Sequence, residues 1–154
     1  MNLHVNHELH MHQALTLARE AKVAGEVPVG AIVVLEGSVV GTGVNRSIQQ
    51  QDPTAHAECE ALREAARQLG NYRLPGTTLF VTVEPCLMCV GAMVHARVNQ
   101  LVFGTREPKA GAIVSNIQAL QLPHWNHTIE YTEGILAEES KQLMQEFFRS
   151  RRVA

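Results

Sequence analysis

TTLFVTVEPCLMCVGAMVHARVNQLVF, residues 77–103, reads as strand, helix, strand. Thr77–Val83 is rich in β-branched and aromatic residues, which suit a pleated, buried strand. Pro85 fits the entry to a helix, because its missing N–H would have no partner there anyway. Cys86–Ala96 is then a short helix, and Val98–Phe103 a second strand. The short connections around Val98–Phe103 fit right-handed crossovers.

Outward from this unit the pattern continues. His7–Ala24 reads as a helix with Leu9, Ala14, Leu17, Ala18 and Ala21 at helical spacing, ended by Gly25. Ala31–Leu35 and Val39–Val44 read as a hairpin around a turn at Glu36–Ser38. Thr54–Leu69 reads as a helix closed by Gly70. A loop over 104–112, a short helix near Asn116–Leu120, a strand at Thr128–Tyr131 and an amphipathic helix over Leu136–Arg149 complete the chain. Strands alternating with helices after an opening hairpin predict an α/β fold of three layers, α/β/α, around a central mixed five-stranded sheet. At 154 residues, the expectation is one domain over 1–154 with a core of its own.

The totals exclude several classes. No apolar run reaches a membrane span. The N-terminal residues lack the basic start and apolar stretch of a secretory signal, so a cytoplasmic protein is expected. The net charge of −2 does not announce a nucleic-acid binder, although Arg149, Arg151 and Arg152 gather beside Phe147 and Phe148. Three cysteines, Cys59, Cys86 and Cys89, argue against a disulfide framework and for metal or redox chemistry.

The chemistry gathers in PTAHAECEAL, residues 53–62, and in the turn Pro85–Cys89. On a helix, Ala61, Leu62, Ala65 and Leu69 fall within roughly 60° of Glu58. Glu58 therefore faces the core, where a carboxylate is costly unless paired or employed. Burial raises its pKa toward working pH, as a general acid–base requires. His56 lies about 160° away, so the two share a site only off the helix's N-terminal end. Cys86 and Cys89 share one helix face and can reach one ion. A thioredoxin-like dithiol would also use C-x-x-C, but it gives His56 and Glu58 no task. A four-cysteine zinc site needs a second C-x-x-C, which the chain lacks. One histidine and two cysteines leave zinc's fourth position open for water, the mark of a catalytic site. With Glu58 beside it, the set specifies zinc-assisted hydrolysis.

His56-Ala57-Glu58 followed by Pro85-Cys86-Leu87-Met88-Cys89 resembles the H-x-E…P-C-x-x-C signature of zinc-dependent nucleoside deaminases. EVPVGAIVV, GVNRSIQQQDPTAHAE, NYRLPGTTLFVTVEPCLMCVGAMVHARV, VFGTREPKAGA and FFRSRR occur in the order found in the tRNA adenosine deaminase family, so the resemblance runs from about residue 8 to 152. It implies a cytidine-deaminase-like fold, one zinc per subunit on His56, Cys86 and Cys89, and proton transfer by Glu58. The implied reaction is deamination of adenosine to inosine at the tRNA wobble position, in a homodimer. It also implies that Asn45 hydrogen-bonds the purine, that Val29 and Ala55 wall the base pocket, and that Glu26 lies at the nucleoside. Backbone groups of Glu84 and Pro85 would hold the leaving group. Glu107, Phe148, Arg149 and Arg151 would meet the tRNA anticodon stem-loop. Glu107 and Pro108 replace an aspartate and an alanine of the best-known bacterial member.

A free-base or free-nucleoside deaminase acting on cytosine, cytidine or guanine would share the zinc site. A non-catalytic RNA-binding subunit would have no use for Glu58. Cys59 reads as a packing residue, since a fourth protein ligand would close the open position. His4, His7, His10 and His12 fit a frayed helix start. Met88 and Met93 read as packing, and His95 as facing solvent or a neighbouring subunit. Trp125 with His124 fits a loop anchor or a dimer contact.

Overall fold

A computed structural model describes the backbone of residues 3–153 and the side chains of residues 6–151. His4 and Arg152 therefore lie outside the described side chains. In chain order the elements are α1 (Leu3–Val23), β1 (Gly30–Leu35), β2 (Ser38–Val44), α2 (Ser47–Gln50), α3 (Ala57–Leu69), β3 (Thr78–Val83), α4 (Leu87–His95), β4 (Gln100–Thr105), β5 (Glu130–Thr132) and α5 (Ala137–Val153). A single 3-10 turn covers Ala119–Gln121.

The five strands form one sheet in the order β2-β1-β3-β4-β5. β1 is antiparallel to both β2 and β3, whereas β3–β4 and β4–β5 are parallel. The sheet is mixed, as expected. Successive side chains of a strand point to opposite faces, and the central strands are apolar on both. Ala31, Val33, Leu79, Val81, Leu101 and Phe103 pack beneath α3 and α4. Ile32, Val34, Phe80 and Val102 pack against α1 and α5. Three layers follow directly, because each sheet face needs its own helical cover.

Two glycines let the helices approach the sheet closely. A Cβ on Gly30 would lie 2.1 Å from the Ala14 carbonyl oxygen of α1, and one on Gly43 would lie 2.1 Å from that of Ala57 in α3. The hairpin turns through Glu36 at φ 51° and Gly37 at φ 80°, the left-handed pair that matches strand twist.

The element boundaries differ in instructive places. α1 buries Met11, Ala14, Leu15, Ala18 and Ala21, while Leu9 is exposed. Leu9 lies about 160° round the helix from Met11, so a frame containing Met11 and Leu15 turns it outward. Leu69 is also exposed, because α3 ends there at left-handed Gly70. The loop before α3 contains a one-turn helix, Ser47–Gln50. α3 itself starts at Ala57 and not at Thr54, since Asp52 Oδ1 accepts from both the N–H and the hydroxyl of Thr54 and closes a turn. The short helix expected near Asn116–Leu120 is the 3-10 turn, and α5 runs on past Arg149. Met93 is buried, whereas Met88 is partly exposed and His95 is exposed. Trp125 Nε1 donates to the Ala119 carbonyl at 2.7 Å and packs on the core beneath α3 and α4, so it anchors its loop.

Candidate active site

α3 and α4 lie side by side on one face of the sheet, and both begin at the same place. His56 is the N-cap of α3, in extended conformation at φ −80°, ψ 152°. Cys86 is the N-cap of α4, at φ −81°, ψ 172°. His56 is thus not on the helix at all. It stands off the N-terminal end, the position from which it can share a site with Glu58.

His56 Nδ1 lies 3.6 Å from Cys86 Sγ and 3.6 Å from Cys89 Sγ. Zinc bonds of about 2.05 Å to nitrogen and 2.3 Å to sulfur, at a tetrahedral angle, put N and S about 3.6 Å apart. The donor set therefore fits that ion in both chemistry and spacing. His56, Cys86 and Cys89 form the one such group among the described residues, with all donor atoms within 4.8 Å of one another. Cys59 is not in it. Its Sγ lies 3.8 Å from Cys89 Sγ.

Electrostatics favour a thiolate here. The hydrogen bond from Cys89 and the nearby His56 bring the Cys86 thiol down to about 4. Contacts with Cys59 and Cys86, together with burial, push the Cys89 thiol up. The thiolate is therefore favoured on Cys86 over Cys89. That thiolate raises the His56 pKa. The positive dipole ends of the two helices stabilise that thiolate. Glu58 is 4% exposed, and burial pushes its carboxyl up to about 7. It can hold or release a proton near neutral pH, next to the three donors.

One wall beside this centre is a continuous hydrogen-bonded strip. Asn45 Oδ1 accepts from Ala57 N–H at 2.8 Å, capping the first amide of α3. Asn45 N–H donates to the Val29 carbonyl, and Arg46 N–H to that of Ala55. Val29 and Ala55 are buried. Glu26, also buried, accepts from the N–H groups of Ile48 and Gln49 at 3.2 and 2.7 Å. Its carboxylate is thus engaged by the α2 turn.

On the other side stands Glu84, 4% exposed. It accepts from the N–H groups of Glu107, Ile113, Val114 and Ser115 at 2.8–3.0 Å, and from the Ser115 hydroxyl. Burial alone would push this carboxyl up, but the Ser115 hydroxyl and the backbone donors hold it below its ordinary range. The Pro85 carbonyl accepts from Ala112 N–H. The sequence reading missed the task of the Glu84 side chain. A glutamate directly after a strand of otherwise uncharged residues was the available signal.

A cleft of about 780 Å³ reaches Val83 at the end of β3, and none of His56, Cys86 and Cys89 lines it. It runs between the 105–109 loop and α5. Glu107, Lys109, Lys141, Phe148 and Arg149 line it. Arg151 lines it too, but its guanidinium stacks on Phe147 at 4.8 Å and donates to the Gly25 carbonyl, tying α5 to the end of α1.

Comparison with known proteins agrees with this geometry. The MafB19-like deaminase family matches residues 5–152. A tRNA-specific adenosine deaminase of Haemophilus influenzae is 50% identical over 92% of this chain and 83% of its own. A solved structure from a study of A-to-I editing by tRNA:A34 deaminases at the wobble position superposes with a TM-score of 0.85 at 40% identity, covering 87% of this chain and 97% of that one. A guanine deaminase from Nitrosomonas europaea superposes at 0.77 with 29% identity, over 91% and 83% of the two chains. The chain belongs to the MafB19-like deaminase family, among the tRNA-specific adenosine deaminases.

Proposed function

We propose that this protein hydrolyses adenosine to inosine and ammonia at the wobble position of tRNA. The observation that carries the reading is His56 Nδ1 meeting both thiols at 3.6 Å beside buried Glu58. His56, Cys86 and Cys89 would hold one zinc per subunit. When bound, zinc acidifies a water so that a nucleophile forms near neutral pH. With zinc bound, Glu58 would take one proton of the water and pass it to the purine ring nitrogen as C6 is attacked, then take the second from the new C6 hydroxyl and pass it to the amino group, which leaves as ammonia. Asn45 commits its Oδ1 to Ala57, which leaves the side-chain NH₂ to donate to the purine. Val29 and Ala55 wall the base, and Glu26 shapes the adjoining loop. The backbone at Glu84 and Pro85 lies where ammonia leaves. An unpaired anticodon loop suits the reaction, since its base leaves the stack at small cost. Glu107, Phe148, Arg149 and Arg151 border the cleft that takes the RNA.

The whole chain acts as one deaminase domain in the cytoplasm. No helix among the described residues is long and apolar enough to cross a membrane. A homodimer is supported by Leu87 and Met88, apolar and exposed on the first turn of α4 beside the site.

The likeness to a guanine deaminase makes free guanine the alternative substrate. The cationic cleft between the 105–109 loop and α5 favours RNA. Inosine formation in an anticodon stem-loop, with guanine and cytidine assayed alongside and zinc quantified on the same sample, decides between them. Glu58→Gln should retain zinc and lose about 10²- to 10⁴-fold in kcat. Undiminished turnover would remove Glu58 from the mechanism.

A further inference from the structure

Glu84 is a charged residue buried where the proposed chemistry makes no use of its side chain. Oε1 accepts from Glu107 N–H and the Ser115 hydroxyl, and Oε2 accepts from the three successive N–H groups of Ile113, Val114 and Ser115. None of these five donors is a cation. Five acceptances saturate a carboxylate, which has about four lone-pair sites. The loop has closed around it so tightly that a Cβ on Gly111 would lie 2.3 Å from Glu84 Cδ. The backbone is held at the same place, with Glu84 N–H donating to the Thr105 carbonyl and the Pro85 carbonyl accepting from Ala112 N–H.

Two residues beyond Glu84 is Cys86, at the start of α4. The other end of its hydrogen bonds is the loop whose outer residues, Glu107 to Lys109, form one wall of the cleft. We infer that Glu84 is a positioning residue whose carboxylate holds the 106–115 loop, and with it one wall of the substrate cleft, in register with the turn that carries Cys86. Recognition and reaction have to be aligned within about 0.5 Å for productive binding, and this side chain spans the two. The inference rests on the cleft being where the RNA lies.

Glu84→Gln exchanges one acceptor oxygen for an NH₂ group that faces donors. Ser115→Ala removes one of the five donors and spares the rest. Steady-state kinetics on an anticodon stem-loop, zinc content and tryptic cleavage after Lys109 are measured on the whole zinc-loaded protein. For Glu84→Gln the expected result is a KM rise of about tenfold or more, kcat within about threefold, unchanged zinc and faster cleavage at Lys109. For Ser115→Ala the same pattern is expected with a KM rise of about two- to fourfold, and this variant decides the matter if Glu84→Gln does not fold. An unchanged KM, or a fall confined to kcat and zinc content, overturns the inference and makes Glu84 a support of the metal turn alone. Arg149→Ala is the companion. If it leaves KM unchanged, the cleft is not the RNA site. If it raises KM while Ser115→Ala does not, the cleft stands and the role of Glu84 falls.

Discussion

Gly43→Ala tests how the sheet builds the site. A Cβ at Gly43 would stand 2.1 Å from the Ala57 carbonyl oxygen and 2.6 Å from Ala61 N. Ordinary contact begins at about 3.4 Å, so the first turn of α3 has to move by roughly 1.3 Å or the strand has to give way. Both atoms are backbone, and no rotamer change relieves them. Overpacking of this kind costs about 1–3 kcal/mol, or about 2–4 °C in Tm per kcal/mol at this chain length. The larger effect falls on function, because His56 and Glu58 flank Ala57. A displacement of about 1 Å at a reacting centre costs on the order of 10²-fold. Zinc affinity by competition with a chromogenic chelator and kcat on the stem-loop should both fall. Gly37→Ala is the control. Gly37 has φ 80° and nothing within 4 Å of an added Cβ, so that variant loses about 1 kcal/mol from backbone strain with zinc and kcat intact. A Gly43→Ala protein with the zinc affinity and turnover of the parent would refute the dependence of the site on this close approach.

Cys59→Ala deletes a sulfur that contacts Cys89 at 3.8 Å; zinc per chain and activity should stay within about twofold, with about 1 kcal/mol lost to the cavity, and loss of zinc would make Cys59 a ligand. Glu58 is raised from 4.5 to about 7 by burial, so the folded state binds its proton more tightly than the unfolded chain does. In metal-free protein this group therefore costs stability progressively as pH rises from about 4.5 to about 7, on the order of 3 kcal/mol in all. Glu58→Gln should consequently raise the Tm of chelator-stripped protein at pH 8 and leave it unchanged at pH 4; an equal shift at both pH values would contradict the buried ionisation. Asn45→Ala leaves the Ala57 amide without its acceptor and should lower stability by about 1–2 kcal/mol while raising KM for the stem-loop, read from melting curves and kinetics.

What the sequence determined by itself was local in origin. Runs of β-branched and apolar residues in Ala31–Leu35 and Thr77–Val83 announced strands, because such side chains suit a pleated, buried surface. The spacing of Cys86 and Cys89 announced a shared ligand face, because a helix turn brings residues three apart together. Glu58 in an apolar stripe announced a buried carboxylate for the same reason. Cap positions were less legible. His56 and Cys86 read as residues within or beside helices, whereas both are N-caps, and a side chain at Asp52 decides where α3 starts. Only the tertiary structure decided the register of the two helix starts against each other, which sets the 3.6 Å triangle. Only it decided that Leu9 faces out, that Gly30 and Gly43 lie under helices, and that Glu84 accepts from a loop 23 to 31 residues away. These depend on which distant backbone groups meet, and chain connectivity alone does not encode that in any short window. A carboxylate at the end of a strand is the same in sequence whether water or a folded loop supplies its donors, and packing alone makes the difference.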